Sequence, residues 1–279
     1  MRSLENLEDH LKQGGNLTAM IGNLRNIFDL TGKVALVTGG GQGLGEAIAE
    51  GFAQFGATVA AVDINLQTAQ TVAEGVNAAG GRAIAIQCDV ADQEQVRTAV
   101  ARTADEFGKI DILAAVAGIG DRNPAEEMTI EQWNRVISIN LTGVWLFDQE
   151  VGKHMIARGE GGSIINMASI GGQVAVTTGN ANYCASKGGV IALTRVLAIE
   201  WARFKIRVNA IAPVQFKTPL ILQLIERKPE VLTYFLENIP LGRLGEVHEI
   251  VGPALFLASD ASSMVTGIVL NVDGGRTAR

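Results

Sequence analysis

Cysteine, aromatic residues and runs of like charge are all scarce in this 279-residue chain. The two cysteines, Cys88 and Cys184, are too few and too far apart for a disulfide framework or a metal cluster. They point to a reducing compartment and to small buried hydrophobes. The net charge of −6 is spread without an acidic or basic block, so nothing recruits nucleic acid or an anionic membrane surface. No apolar run approaches the ~20 residues of a membrane span. The first residues include Glu5, Glu8 and Asp9, where a signal peptide needs a basic start and an unbroken apolar core. These absences predict a soluble cytoplasmic protein.

What is present is apolar residue in quantity, 47% of the chain, enough for one large α/β core. Residues 1–28 space Leu4, Leu7 and Leu11 at helical intervals before Gly14 and Gly15 break the pattern, and are read as an N-terminal extension, a docking arm or a frayed end. From Lys33 onward, short apolar runs alternate with amphipathic stretches. Strands are expected at 34–38, 58–62, 83–87, 112–116, 163–167, 207–211 and 267–272. Helices are expected at Gly45–Phe55, Gln93–Phe107, Ile130–Ala157 and Asn182–Phe204. Strands that are apolar throughout have both faces covered, and regular βα alternation implies right-handed crossovers. The fold class is therefore α/β: a doubly wound parallel sheet of about seven strands, formed by 29–279 as one domain.

In such a sheet a ligand binds beyond the carboxyl ends of the strands. The first of those ends reads VTGGGQGLGEAIAEGF, a strand running into glycines and then a helix. Gly39, Gly43 and Gly45 allow a sharp turn, a close approach to a pyrophosphate and a helix N-terminus facing the anion. About twenty residues on, Asp63 ends the second strand where a carboxylate accepts from ribose hydroxyls and repels a 2′-phosphate. Its neighbours Gln42 and Ile64 are not basic, so NAD is expected rather than NADP. Asp89 and Val90 end the third strand near an adenine pocket, although either Asp89 or Asp92 could instead cap the next helix. Further on, NANYCASKGG contains one of only two tyrosines. Tyr183 and Lys187 share a helix face, an arrangement common enough that the pair alone decides nothing.

Motif order decides it. TGGGQGLG (38–45), Asp63, CDV (88–90), SIN (138–140), INMAS (165–169), YCASK (183–187), NAIAP (209–213) and the closing FLASDASSMVTGIVLNVDGG (256–275) resemble the short-chain dehydrogenase/reductase family over nearly everything after residue 28. The resemblance implies a Rossmann fold and catalytic roles for Asn140, Ser169, Tyr183 and Lys187. Tyr183 is then the acid/base. Free tyrosine has a pKa near 10, so the Lys187 ammonium, together with an oxidised nicotinamide, is expected to draw it down. Lys187 also holds the nicotinamide ribose, Ser169 the substrate oxygen, and Asn140 a water relay. Cofactor contacts are implied for Leu44, Ala117, Gly118, Pro213, Phe216 and Thr218 as well. His10, His154 and His248 fall outside every motif and are read as surface residues.

Three departures stand out. Ala115 and Val116 replace the usual asparagines before Ala117-Gly118, Ser169 to Tyr183 is one residue longer than the common spacing, and Val214 replaces a glycine. The stretch 215–240 matches the family's substrate lid, its charges read as a solvated helix face. Gln173, Thr177, Thr178 and Asn180 are candidates for binding hydroxyls. The branch resembled is that of gluconate 5-dehydrogenases and polyol dehydrogenases, implying an NAD-dependent oxidoreductase for a polyol, sugar or sugar acid, assembled as a homotetramer. Two alternatives are a 3-oxoacyl carrier-protein reductase or steroid-type dehydrogenase, and a catalytically silent NAD(H)-binding sensor or scaffold. No metal is expected.

Overall fold

Each of the seven apolar runs forms a strand. The computed structural model describes residues 26–175 and 179–278. The elements run β1 (Val34–Thr38), α1 (Gly43–Gln54), β2 (Thr58–Asp63), α2 (Leu66–Ala78), β3 (Arg82–Gln87), α3 (Gln93–Phe107) and β4 (Ile112–Ala115). Then follow α4 (Ile130–Ile137), a π turn (Ser138–Thr142), α5 (Gly143–Arg158), β5 (Gly162–Met167), α6 (Ala181–Trp201) and β6 (Ile206–Pro213). The chain closes with α7 (Pro219–Arg227), α8 (Glu230–Asn238), α9 (Val251–Ala258) and β7 (Val269–Val272). All but 26–28 of the expected N-terminal extension, including His10, lies outside the described residues.

The strands pair in parallel in the order β3-β2-β1-β4-β5-β6-β7. The register sets Leu36 opposite Ala60 on one side and Leu113 on the other. Side chains alternate between the two faces. Leu36 and Leu113 join a core with Val100 of α3, Phe147 of α5 and Val190 of α6. Ala35 and Val37 join a second core with Phe52 of α1, Val72 of α2 and Leu255 of α9. Two covered faces explain why the strands read as unbroken apolar runs. Each fully buried large side chain, such as Phe52 or Phe147, contributes about 1.5–3 kcal/mol by leaving water. Among the described residues no helix is long and apolar enough to cross a membrane, and no cluster of potential metal ligands occurs.

Local signals set the helix starts. Asp92 accepts from the backbone N–H groups of Glu94 (2.9 Å) and Gln95 (3.2 Å), so Asp92, not Asp89, caps α3. Thr129 and Gln132 form a capping box that starts α4. The single helix expected at Ile130–Ala157 is interrupted by the π turn. Helical periodicity in sequence does not register one extra residue in a turn, and such turns gather at functional sites. His154 also departs from expectation. It is half-buried, and burial first, then Arg158, lower its pKa against the pull of Asp111. His248 is exposed.

Candidate active site

β1 and β4 are neighbours in space but not in sequence, so the chain leaves their carboxyl ends in opposite directions and a crevice opens between them. A cavity of about 740 Å³ occupies that crevice. Its floor is the glycine loop. Gly39 has φ +64°, and a Cβ there would stand 2.9 Å from Ala117 Cα. A Cβ on Gly45 would stand 2.0 Å from the carbonyl oxygen of Gly39. Both positions demand glycine because backbone packs directly on backbone. Helix α1 starts at Gly43, and its N-cap, Gln42, makes no side-chain cap bond. The Gly43 N–H instead donates to Glu46 Oε2 at 3.1 Å, and a helix N-terminus in a glycine cradle is a seat for an anion.

At the end of β2, Asp63 is almost fully buried. Its Oδ2 accepts from Gly41 N–H (3.0 Å) and its Oδ1 from Asn65 N–H (2.9 Å). The carboxylate is thus held against the glycine loop, as a ribose ligand must be. Gln42 and Ile64 are exposed beside it. Asp89 accepts from Ala91 N–H at 2.9 Å and lines the cavity with Val90. These features fit a dinucleotide: a helix N-terminus in a glycine cradle for the pyrophosphate and a fixed carboxylate at the ribose end.

Across the cavity, α6 carries Tyr183 and, one turn later, Lys187, whose Nζ lies 5.9 Å from the tyrosine ring centroid. Lys187 is only 3% exposed, and its Nζ donates to the Met167 carbonyl at 2.6 Å. Burial pulls its pKa down to about 8. The Ser169 hydroxyl lies close enough to the Tyr183 phenol to lower its pKa, and Ser169 Oγ accepts from Gly171 N–H at 3.1 Å. The extra residue between serine and tyrosine therefore does not separate them. The expected lowering of Tyr183 is reversed in the protein alone. Burial raises the phenol; the Ser169 hydroxyl opposes it, Cys184 adds to it and Arg122 opposes it.

The residues given catalytic or cofactor roles in the sequence line this one cavity, with the exception of Asn140. That side chain is fully buried behind the wall. Its Oδ1 accepts from Ile119 N–H (2.8 Å), and its Nδ2 donates to the Ile119 carbonyl (2.9 Å) and to Ser186 Oγ (3.3 Å). The carboxamide thus clamps the loop after β4. A Cβ on Gly118 would lie 3.3 Å from Asn140 Oδ1 and 3.4 Å from Lys187 Nζ. The missing asparagines at 115 and 116 are offset by Thr38, whose Oγ1 accepts from the N–H groups of Val116 (3.0 Å) and Ala117 (3.2 Å). Val214 keeps its backbone bonded to Val272 (3.1 Å) and lines the cavity.

The stretch expected as a lid forms α7 and α8 above the cavity. Thr218 caps α7, Leu220, Ile221 and Leu224 face the cavity, and Phe235, Ile239 and Leu244 anchor the pair beneath. Arg227, read as part of a solvated face, lines the cavity. Gln173 does not reach it. Its Nε2 donates to Asn271 Oδ1 at 2.5 Å. Asn180 lines the cavity, while Thr177 and Thr178 lie outside the described residues.

Sequence reasoning missed Arg122 and Arg135, which also line the cavity. Arg122 sits in a pinned loop. The Asp121 carbonyl accepts from Asn182 Nδ2 (3.1 Å), and Asn123 N–H donates to the Gly179 carbonyl (3.1 Å). Among the described residues no ion pair joins Arg122, Arg135 or Arg227 to a carboxylate. The only signal for Arg122 in the sequence was its place just after the fourth strand end, on a loop at the switch in strand order.

A family model described as "Enoyl-(Acyl carrier protein) reductase" matches residues 39–277. D-threitol dehydrogenase of Mycolicibacterium smegmatis is 43% identical over 251 residues, covering 90% of this chain and 95% of that protein. The NAD-dependent glycerol dehydrogenase of Listeria innocua is 40% identical over 253 residues, covering 90% and 96%. Among solved structures, the gluconate 5-dehydrogenase of Burkholderia cenocepacia in complex with NADP and tartrate has a TM-score of 0.87 at 39% identity, covering 91% of this chain and 98% of that one.

Proposed function

The chain belongs to the short-chain dehydrogenase/reductase family, and from that premise we propose that it interconverts a secondary alcohol and its ketone on a sugar acid or polyol, using NAD. The observation that carries this reading is the meeting of Ser169, Tyr183 and Lys187 across one cavity from the glycine loop and Asp63. When bound, the nicotinamide exchanges hydride with the carbon that bears the hydroxyl. The chain's own residues manage the proton. Ser169 Oγ, beside the Tyr183 phenol, orients the substrate hydroxyl. Tyr183 Oη takes that proton in oxidation and returns it in reduction. The Lys187 ammonium and the Arg122 guanidinium favour the phenolate that this requires.

NAD is preferred because Asp63 occupies the ribose end with no basic neighbour, although the relatives include both an NAD-dependent enzyme and one bound to NADP. Three unpaired arginines on the cavity wall favour a substrate that carries a carboxylate over a neutral polyol. The homotetramer reading is supported by the outward apolar side chains Trp145 on α5 and Val196 and Ile199 on α6. The cytoplasmic reading rests on the free thiols of Cys88 and Cys184.

The test is nicotinamide reduction with NAD and NADP in parallel, across aldonic acids, neutral polyols, sterols and hydroxyacyl thioesters, with light scattering for the oligomer. Turnover is expected with NAD on an aldonate. Tyr183→Phe should lose it by roughly 10²–10⁴-fold while NADH binding is unchanged. Arg122→Ala should raise KM for the aldonate about tenfold, the scale of one charge-assisted contact, leave KM for neutral polyols unchanged, and lower kcat on both by removing a charge that favours the phenolate. Silence across the panel despite tight NADH binding would overturn the enzymatic reading for these substrates, and an equal rise in KM on acids and polyols would overturn the carboxylate-binding role of Arg122.

A further inference from the structure

Asp148 is completely buried on α5, two turns beyond Asn140, where it meets β5 and α6. Asn166 of β5 spends both amide hydrogens there. Its Nδ2 donates to Asp148 Oδ2 at 2.9 Å and to Thr194 Oγ1 at 3.2 Å, and the Thr194 hydroxyl donates to the Val190 carbonyl at 2.8 Å. Two buried acceptors remain without a donor, Asp148 Oδ1 and Asn166 Oδ1. They belong to side chains that already touch. A carboxylate has no proton to offer, so an ionised Asp148 leaves both atoms orphaned in the core. A neutral acid has one O–H. Carried on Oδ1, that hydrogen serves Asn166 Oδ1 and closes a ring of two antiparallel hydrogen bonds, acid to amide and amide to acid.

We propose that Asp148 is held as a neutral acid in a two-bond ring with Asn166, and that this ring is a positioning device for Lys187. The chain connectivity makes the link short. The residue after Asn166 is Met167, whose carbonyl receives the Lys187 ammonium. Thr194, the third member, stands two turns along α6 from Lys187 and ties that helix to the same amide. The ring therefore braces α5, β5 and α6 together directly beneath the Lys187 seat. The positioning role rests on the assignment of Lys187 made above, but the proton does not.

Burial pushes the Asp148 carboxyl up to about 8, against the pull of the Asn166 amide. Surrounding charges do not offset this. β4 and β5 carry none. On α3 and α5, Arg97 pairs with Glu94 and Glu150, and Lys153 also pairs with Glu150, away from the core. His154 lies farther along α5 toward Arg158 and Asp111. On α6, Arg195 and Glu200 are exposed, and the Lys187 ammonium is turned to Met167. An acid whose folded pKa is raised contributes stability that is lost as the pH climbs through about 8. Above that value the ring opens, and the brace under Lys187 slackens.

Two substitutions in the full chain test this. Asp148→Asn replaces the O–H by an N–H and preserves both ring bonds with nothing to titrate, whereas Asp148→Ala removes the ring. The expected results below about 8 are an infrared band of a protonated, buried carboxylic acid in the wild type that Asp148→Asn lacks. As the pH rises from 3.8 to about 8, the wild-type melting temperature should fall relative to that of Asp148→Asn, and the difference should level off above that range. Asp148→Ala should lower kcat roughly tenfold or more at little change in KM, the scale of a slightly misplaced catalytic group, and Asp148→Asn should restore kcat and extend the alkaline limb of its pH profile. Absence of the band, or an Asp148→Asn protein as destabilised as Asp148→Ala, would refute the neutral acid. A shift in melting temperature with kcat and its pH profile untouched would refute the positioning role. Failure of the enzymatic reading shows separately, as turnover that survives Tyr183→Phe, and leaves the infrared and melting results to decide the proton.

Discussion

Replacing Lys187 by methionine should make the protein more stable at neutral pH while abolishing turnover. The ammonium is 3% exposed, and burial draws its pKa from 10.5 to about 8. At ~1.4 kcal/mol per pH unit, that gap corresponds to an unfavourable contribution of about 3 kcal/mol to folding. Methionine has a similar length and no charge, so the variant escapes this cost. It also loses the bond to the Met167 carbonyl, leaving a buried acceptor unpaired at about 1–2 kcal/mol. The net expectation is a gain of about 1–2 kcal/mol, or roughly 2–6 °C in Tm for a chain of this size.

The sign of the pH dependence follows from where the protons are. Between about 8 and 10.5 the unfolded chain keeps the lysine proton that the folded chain has released, so wild-type stability rises with pH across that window. The variant has no such rise. Its advantage should be greatest below about 8 and gone once the pH passes 10.5. Urea unfolding followed by circular dichroism at a series of pH values measures the difference directly. A variant less stable than wild type at neutral pH, or an advantage that does not shrink on going alkaline, would refute the claim that burial governs this lysine.

Asp63→Ser should lower the NAD-to-NADP ratio of kcat/KM by more than tenfold, because it removes the charge that repels a 2′-phosphate. It should also cost some stability, since the Gly41 and Asn65 amides lose their acceptor. Parallel kinetics with the two cofactors and a melting curve report both effects. Gly45→Ala should be far more damaging than Gly75→Ala, because a Cβ meets the Gly39 carbonyl oxygen at 2.0 Å in the first case and nothing within 4 Å in the second. Gly75 lies inside α2, where alanine should stabilise by up to about 1 kcal/mol. NADH titration together with thermal melts of the two variants separates the loop from the helix.

Much of this architecture was legible because it depends on one physical requirement at a time. A strand with both faces covered must be apolar throughout, and 34–38 or 112–115 say so without reference to any partner. The glycine loop was legible for a similar reason, since Gly39 and Gly45 answer local demands of the backbone. The π turn at Ser138–Thr142 was not, because it depends on Asn140 reaching Ile119, 21 positions earlier in the chain. Arg122 was hidden in another way. An arginine in a loop is ordinarily solvated, and only the anchoring of Asp121 and Asn123 against α6 and Gly179 fixes this one at the cavity wall. The Asp148–Asn166 contact joins a helix to a strand 18 positions away, and nothing in either local pattern marks it.

The electrostatics of the site show what the spacing of Tyr183 and Lys187 leaves open. One helical turn between a tyrosine and a lysine suggests a charged pair, but both groups sit in surroundings that oppose charge. Burial raises the phenol and lowers the ammonium, so each is pushed toward its neutral form. The protein by itself therefore keeps Tyr183 neutral and weakens, without removing at neutral pH, the charge on Lys187. Of the chain's own groups, the Ser169 hydroxyl and the Arg122 guanidinium act against burial at Tyr183. The first does so only when its hydrogen points at the phenol, and the second only while the loop pinned by Asp121 and Asn123 keeps it near. Activation of the tyrosine is then a property of the assembled cavity rather than of the helix that carries the motif. That is why Arg122, which belongs to no recognised motif, has a stronger claim on the acid/base chemistry than its place in a polar loop would suggest.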